Sequence, residues 1–228
     1  MSRLHSPHRC PRCRIHKLLC FCDLIPRLEL TTKVVVLMHK SEIHLTSNTA
    51  TLARECLTNA EIRVRGTKDG ALNLDDLEDD HVNLVLFPAG NAEVLDAHYL
   101  EKLKGKKVRL IVPDGTWSQA KKAVKREKLL HKFPKVKLSP GPLSLYHLRK
   151  EPTPESVCTF EAIARALGIF HGDEIQKDLE KVLTLMVERT LWSKSRIKTE
   201  DCTYPIPQKA IHHRLNPPKA GDILSFEE

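Results

Sequence analysis

Ile111-Val112-Pro113-Asp114-Gly115-Thr116-Trp117-Ser118-Gln119-Ala120 is the stretch on which the fold turns. The apolar run 108–112 reads as a buried strand, and Pro113 ends it. Asp114-Gly115-Thr116 is turn chemistry, after which Trp117 opens a helix. Thr116 with Gln119 three residues on forms a capping box, which marks the helix start. A carboxylate and a large aromatic thus stand together at the mouth of a strand–turn–helix unit. In open α/β sheets this is where ligands bind. Asp114 beside Trp117 suits a cationic organic ligand next to a group that must lose a proton.

The same alternation runs outward in both directions. A Val-rich strand is expected at 33–38, with His39-Lys40-Ser41-Glu42 at its C-terminal end. A helix follows at 48–57, with Ser47 or Asn48 as its N-cap, then a short strand at 62–65. The run 82–87 is another buried strand, broken at Pro88-Ala89-Gly90. A helix at 92–103 is stopped by Gly105, and the helix after Trp117 extends to about residue 130. A last short strand at 135–138 precedes the loop Ser139-Pro140-Gly141-Pro142. Phe160, Ile163, Ala164 and Leu167 give a helix at 159–167 with Gly168 as C-cap. Asp173 and Gln176 cap a longer helix carrying Leu179, Val182, Leu183 and Met186 on one face. The Pro-rich tail from Thr199 shows no periodicity and is expected to be irregular, either free or docked on the body. Alternating strands and helices imply an α/β fold with a mainly parallel sheet flanked by helices. The organisation expected is a cysteine unit at 1–30, an α/β catalytic domain at 31–198 and a tail at 199–228.

At 228 residues with 41% hydrophobic content, the chain supports one sizeable α/β domain with an appendage. No run approaches the ~18 apolar residues that span a membrane. The first nine residues are polar and basic, without the apolar core of a secretion signal, so the cytoplasm is the expected compartment. Lys and Arg exceed Asp and Glu by 37 to 29, a net charge of +8. Such an excess favours a polyanionic partner, RNA or DNA first, although charge alone also fits a generally basic protein. Lys121, Lys122, Lys125 and Lys128 follow helical spacing beyond Trp117, with Arg126 beside them. They form a cationic stripe able to neutralise several phosphates, or simply a solvated face.

Cys10, Cys13, Cys20 and Cys22 place four thiols within thirteen residues. Thirty residues cannot build a core alone, and a bound metal would contribute the missing folding free energy. Zn²⁺ in a closed tetrahedral thiolate site is the favoured reading for a cytosolic chain, over disulfides or free thiols. Spacing by itself does not separate zinc from an iron–sulfur cluster. The unit is structural, or it also presents Arg3, Arg9, Arg12, Arg14 and Lys17 to RNA. Cys56 falls on the apolar face of its helix and reads as a small buried hydrophobe.

Asp114-Gly115-Thr116-Trp117 resembles the Asp-x-Thr-Trp signature of the DTW-domain family, the tRNA-uridine aminocarboxypropyltransferases. Three further blocks are similar to that family: His39-Lys40-Ser41-Glu42 with Ser47-Asn48-Thr49, Ser144 to Arg149 with Pro152, and Thr159-Phe160-Glu161-Ala162-x-Ala164. The cysteine unit resembles the zinc-binding start of bacterial members. Lys40 stands where the family pattern has proline, and Ala50 where it has glycine. The resemblance implies transfer of the 3-amino-3-carboxypropyl group of S-adenosylmethionine to N3 of a tRNA uridine, with methylthioadenosine as the other product. It also implies a SPOUT-like fold with a trefoil knot around the cofactor.

Under that reading Asp114 is the catalytic base and Trp117 a wall for the cofactor or a platform for the uracil, although turn former and core aromatic are their simpler roles. The cofactor loops would be Phe87-Pro88-Ala89-Gly90, Pro113 to Thr116, and the segment holding Leu138, Ser144, Tyr146, Leu148 and Arg149. Arg149 would take the methionine carboxylate, pair with Glu161 or bind phosphate. His39, Glu42 and Asn48 would contact RNA or support the Asp114 loop, and Lys121, Lys122 and Lys125 would contact RNA. Two rivals stand beside this reading: a SPOUT-type RNA methyltransferase and a non-catalytic zinc-containing RNA-binding module. A monomer and a homodimer are both compatible with the sequence.

Overall fold

The Val-rich run and the Asp114 run lie side by side in one parallel sheet. The computed structural model describes residues 7–67, 72–149, 153, 156–213 and 215. Strands β1 (Lys33–His39), β2 (Ala60–Arg65), β3 (Val82–Leu86), β4 (Glu93–Val94), β5 (Val108–Asp114) and β6 (Lys135–Lys137) are ordered β2-β1-β5-β3-β6-β4. Every neighbouring pair is parallel. Buried Val34, Val36, Leu84, Leu110 and Val112 share one core with α1 (Thr51–Cys56), α5 (Thr159–His171) and α6 (Asp173–Trp192). Val35, Leu37, Val85 and Ile111 face the other way, onto Leu74, Leu77 and Leu130. That second layer includes α3 (Trp117–Arg126) and α4 (Lys128–Lys132); α2 (Ala97–Glu101) adds Tyr99 to the first. Strands buried on both faces explain why their sequences are continuous apolar runs.

Several boundaries differ from the sequence expectation, each for a physical reason. β5 runs on through Pro113 and Asp114, pairing Leu37 with Pro113 and Met38 with Asp114. The ladder to β3 stops at Ile111, so a residue lacking an N–H is accommodated beyond it. The helix expected at 92–103 is instead the edge strand β4, paired with β6, followed by the short α2 capped by the Asp96 carboxylate. The helix after Trp117 breaks at Glu127, whose backbone is extended and whose carboxylate meets Arg65 at 3.2 Å. Helix α1 starts at Thr51 rather than 48, and neither Ser47 nor Asn48 caps it. Ala50, in glycine's place, has an ordinary helical φ of −59°, so no glycine is needed there.

Gly168 is not a C-cap. It is buried inside α5, where an added Cβ would lie 2.8 Å from the Gln176 Cβ of α6. Gly172, at φ +97°, ends α5 and begins α6, and neither Asp173 nor Gln176 makes a capping hydrogen bond. The tail is not wholly irregular: α7 (Gln208–His212) buries Ala210, and Ile206 ahead of it enters the main core. Glu188 of α6 accepts from the Thr203 and Tyr204 amides, which docks the approach to α7. The N-terminal segment shares the same core through Cys13, Ile15, Leu19 and Phe21. Arg189 of α6 donates to the Leu19 and Cys20 carbonyls, both at 2.9 Å. No helix among the described residues is long and apolar enough to cross a membrane. Arg3, Pro152 and the tail beyond Leu215 lie outside the described residues.

Candidate active site and cysteine cluster

The C-terminal ends of β3, β5 and β6, with the loop after β1, open into a cavity of about 650 Å³, a size that accommodates a nucleoside-sized ligand. Asp114, the last residue of β5, lines it and is only 6% exposed. Asn48 Nδ2 donates to Asp114 Oδ2 at 2.9 Å, and Thr159 Oγ1 donates to Oδ1 at 2.6 Å. The carboxylate is thus held by the loop after β1 and by the first residue of α5. Burial pushes the Asp114 carboxyl up from its ordinary value; the Thr159 and Asn48 hydrogen bonds oppose this, nearby Glu42 adds to it and Arg149 opposes it. Asn48 Oδ1 is buried with no hydrogen-bond partner.

The turn beyond Asp114 is built as its residues dictate. Gly115 has φ +141°, and an added Cβ would stand 2.7 Å from Gln119 Oε1. The capping box is present: the Thr116 amide donates to Gln119 Oε1 at 2.8 Å, and the Gln119 amide donates to Thr116 Oγ1 at 3.3 Å. Gln119 Nε2 then reaches Ser41 Oγ at 3.1 Å, and Ser41 in turn bonds His39 Nδ1. The turn of β5 is therefore fastened to the turn of β1. Burial, with Arg65 and Lys40 close by, pushes the His39 imidazole down, which keeps it neutral as an acceptor for the Ser41 amide. Trp117 is 42% exposed and lies at the cavity, its ring tilted against Phe87 at 6.0 Å. It is not a core aromatic.

Arg149 pairs with Glu42 at 3.2 Å and donates to Ser47 Oγ at 2.8 Å. Glu161, fully buried, accepts instead from Ser144 Oγ, the Leu145 amide and Arg165. Those three bonds shape the loop that carries Tyr146, whose hydroxyl donates to the Ser47 carbonyl at 2.8 Å.

Of the residues singled out in the sequence, Phe87, Pro88, Pro113, Asp114, Gly115, Thr116, Trp117, Leu138, Tyr146, Arg149, Glu42 and Asn48 line the cavity. Ala89, Gly90, Ser144, Leu148 and His39 do not, and Lys121, Lys122 and Lys125 lie on the exposed surface of α3. Sequence reasoning took Thr159 as a helix start in a family-like block, not as a partner of Asp114, and missed Ser47, Lys137 and Arg165 as wall residues. The Thr-Phe-Glu-Ala block held a signal for Thr159; nothing local marks Lys137.

The sulfurs of Cys10, Cys13, Cys20 and Cys22 all lie within 4.8 Å of one another, with Cys10–Cys22 at 3.5 Å and Cys13–Cys20 at 3.7 Å. Metal–sulfur bonds of about 2.3 Å in a tetrahedron put sulfurs ~3.8 Å apart, so the four fit one metal ion. Arg9, Arg12 and Arg14 are each engaged within the protein, by the Arg14 carbonyl, Glu55 and the Ile43 carbonyl respectively. A second group of potential ligands, Asp79, Asp80 and His81, is occupied by Arg109 and Lys107.

The DTW domain family model matches residues 7–191. This chain belongs to the DTW domain family. Over 203 residues it is 27% identical to tRNA-uridine aminocarboxypropyltransferase 2 of Mus musculus, an alignment covering 85% of this chain and 68% of that protein. It is 23% identical over 216 residues to the Drosophila melanogaster protein of the same name, covering 91% and 78%. To tRNA-uridine aminocarboxypropyltransferase A of Arabidopsis thaliana it is 28% identical over 217 residues, covering 80% and 81%. The chain spans about two thirds of the length of its mammalian relatives. No solved structure shows a significant match. In this DTW domain the signature is Asp114 to Trp117, and it lies in the cavity wall.

Proposed function

We propose that this DTW domain transfers the 3-amino-3-carboxypropyl group of S-adenosylmethionine to N3 of a tRNA uridine, releasing methylthioadenosine. The observation that carries this reading is the buried, doubly hydrogen-bonded Asp114 of the signature at the cavity, beside exposed Trp117. The donor supplies an electrophilic γ-carbon next to a sulfonium. Phe87 and Pro88, Pro113 to Thr116, and Leu138, Tyr146 and Arg149 would hold it. Asp114 receives the N3 proton as the N3–carbon bond forms and the carbon–sulfur bond breaks. A positioned base of this kind contributes roughly 10²–10⁴-fold. Asn48 and Thr159 fix the carboxylate's orientation, which supports the alignment that the displacement requires. Arg149, held by Glu42 and Ser47, would share its guanidinium with the donor's carboxylate.

The reading includes a SPOUT-type knotted path. That path rests on the family resemblance of the signature and its flanking blocks. The reading also includes structural zinc in the four-cysteine cluster, supported by the sulfur spacing. Incubation with unmodified tRNA and S-adenosylmethionine, followed by mass analysis of the digested nucleosides, tests the reaction. Aminocarboxypropyluridine is expected. Methyluridine would instead indicate a methyltransferase, and absence of product with tight tRNA binding a non-catalytic RNA module.

A further inference from the structure

Trp117, Lys121 and Lys125 recur at four-residue intervals from the cavity mouth along α3. Such residues share one helical face, stepped by about 6 Å along the axis, close to the step between neighbouring phosphates of a strand. The face is exposed at all three positions, while Ala120 and Ala123 are buried. Lys121, Lys122, Lys125 and Arg126 have no carboxylate within ion-pairing distance among the described residues. By contrast Lys102, Lys107, Lys132 and Lys177 are each neutralised by an acidic neighbour. The charge on α3 is thus left available.

We infer that this face is a track for a single-stranded RNA segment: the base to be modified stacks on Trp117, and the adjoining phosphates lie along Lys121 and Lys125. Three features favour an unpaired strand as the occupant. Trp117 offers a π-face tilted against Phe87 rather than buried beneath it. Every base can stack on such a face, and a neighbouring cationic row follows the backbone. A base still paired in a duplex cannot bring its N3 to a carboxylate recessed at the end of a strand; it must first leave its helix. The inference rests on the proposed uridine chemistry for the identity of the base, but not for the binding of the strand.

The test uses the full-length, metal-loaded protein and a labelled oligouridylate of about eight nucleotides. Affinity is measured by fluorescence anisotropy across a salt series, without S-adenosylmethionine. Each neutralised phosphate contributes about 0.7 to the logarithmic salt slope of a single strand. Lys121→Gln with Lys125→Gln is therefore expected to reduce the slope by about 1.4. Lys104→Gln with Lys106→Gln, at the opposite end of β5, removes the same net charge and is expected to leave the oligouridylate slope unmoved. Trp117→Ala is expected to weaken binding roughly tenfold at fixed salt with the slope kept, and Trp117→Phe to restore most of it. Thermal unfolding checks that each variant is folded. A slope unchanged in the α3 double variant, an equal change in the Lys104/Lys106 control, or no binding at low salt overturns the track. Nucleoside analysis is a separate readout, so loss of the transferase reading and loss of the track are distinguishable.

Discussion

Asp114 carries a stability cost because its carboxyl is buried. Burial raises its folded pKa, and a group raised in this way stabilises the fold below its unfolded pKa. That contribution is lost as pH rises through the folded value. Ionising the carboxylate as pH rises therefore weakens the fold. Asp114→Asn is expected to keep or raise Tm near pH 7, with the difference shrinking toward acid, while turnover falls roughly 10²–10⁴-fold. Asn48, whose Oδ1 lacks a partner, can turn its amide to receive the new NH₂. A lower Tm at pH 7 with turnover intact would sink the assignment. Arg149 offers a second check, because it opposes the rise in the Asp114 pKa while Glu42 adds to it. Arg149→Met is expected to move the acid limb of the pH–rate profile upward, since more alkaline conditions are then needed to ionise Asp114. It also leaves Glu42 buried and unpaired, at a cost of about 1–3 kcal/mol. An unmoved acid limb would show that the limb belongs to another group.

At the scale of elements, α5 and α6 pack closely at Gly168. Gly168 sits where a Cβ would meet Gln176 Oε1 at 2.5 Å and Gln176 Cβ at 2.8 Å. The far end of Gln176 can move aside, but its Cβ cannot without parting the helices. Gly168→Ala is thus expected to lower stability by about 1–3 kcal/mol in denaturant titration, against the gain in helix propensity that alanine brings elsewhere. The sequence suggested a C-cap there because glycine after a periodic segment usually ends a helix; close packing is a second reason for glycine that one sequence does not display. The sheet was more legible. β1, β3 and β5 are apolar on both faces, so their composition declares a buried strand, whereas β4 has two residues and no period to read. Asp114 and Trp117 stood out because the turn around them is local. Asn48, one of the residues expected to contact RNA or support the Asp114 loop, and Thr159 of the Thr-Phe-Glu-Ala block reach Asp114 from 66 and 45 residues away; their blocks marked them, but no local pattern encodes the pairing itself.

For the whole molecule, the cysteine unit is part of the main core rather than an ornament. Full-length protein is expected to carry one metal ion per chain by elemental analysis. Cys13→Ser or a strong chelator is expected to remove that ion and lower Tm, because metal binding is linked to folding. Retention of both metal and Tm in Cys13→Ser would exclude the cluster as the site. Deleting residues 1–30 takes away the carbonyl acceptors of Arg189 and opens the core at Leu19 and Phe21. The remaining chain is therefore expected to be insoluble or loosely packed, even though it keeps every cavity residue.

The Arg189 contact also sets an order in time. The carbonyl of Leu19 leaves the ribosome 170 residues before the guanidinium that binds it. At about 5–20 residues per second, that is an interval of roughly ten to thirty seconds. Throughout it the first segment has its cysteines but not its seat. Metal capture can precede the rest of the fold, and the chain's beginning is secured only when its last long helix has been made.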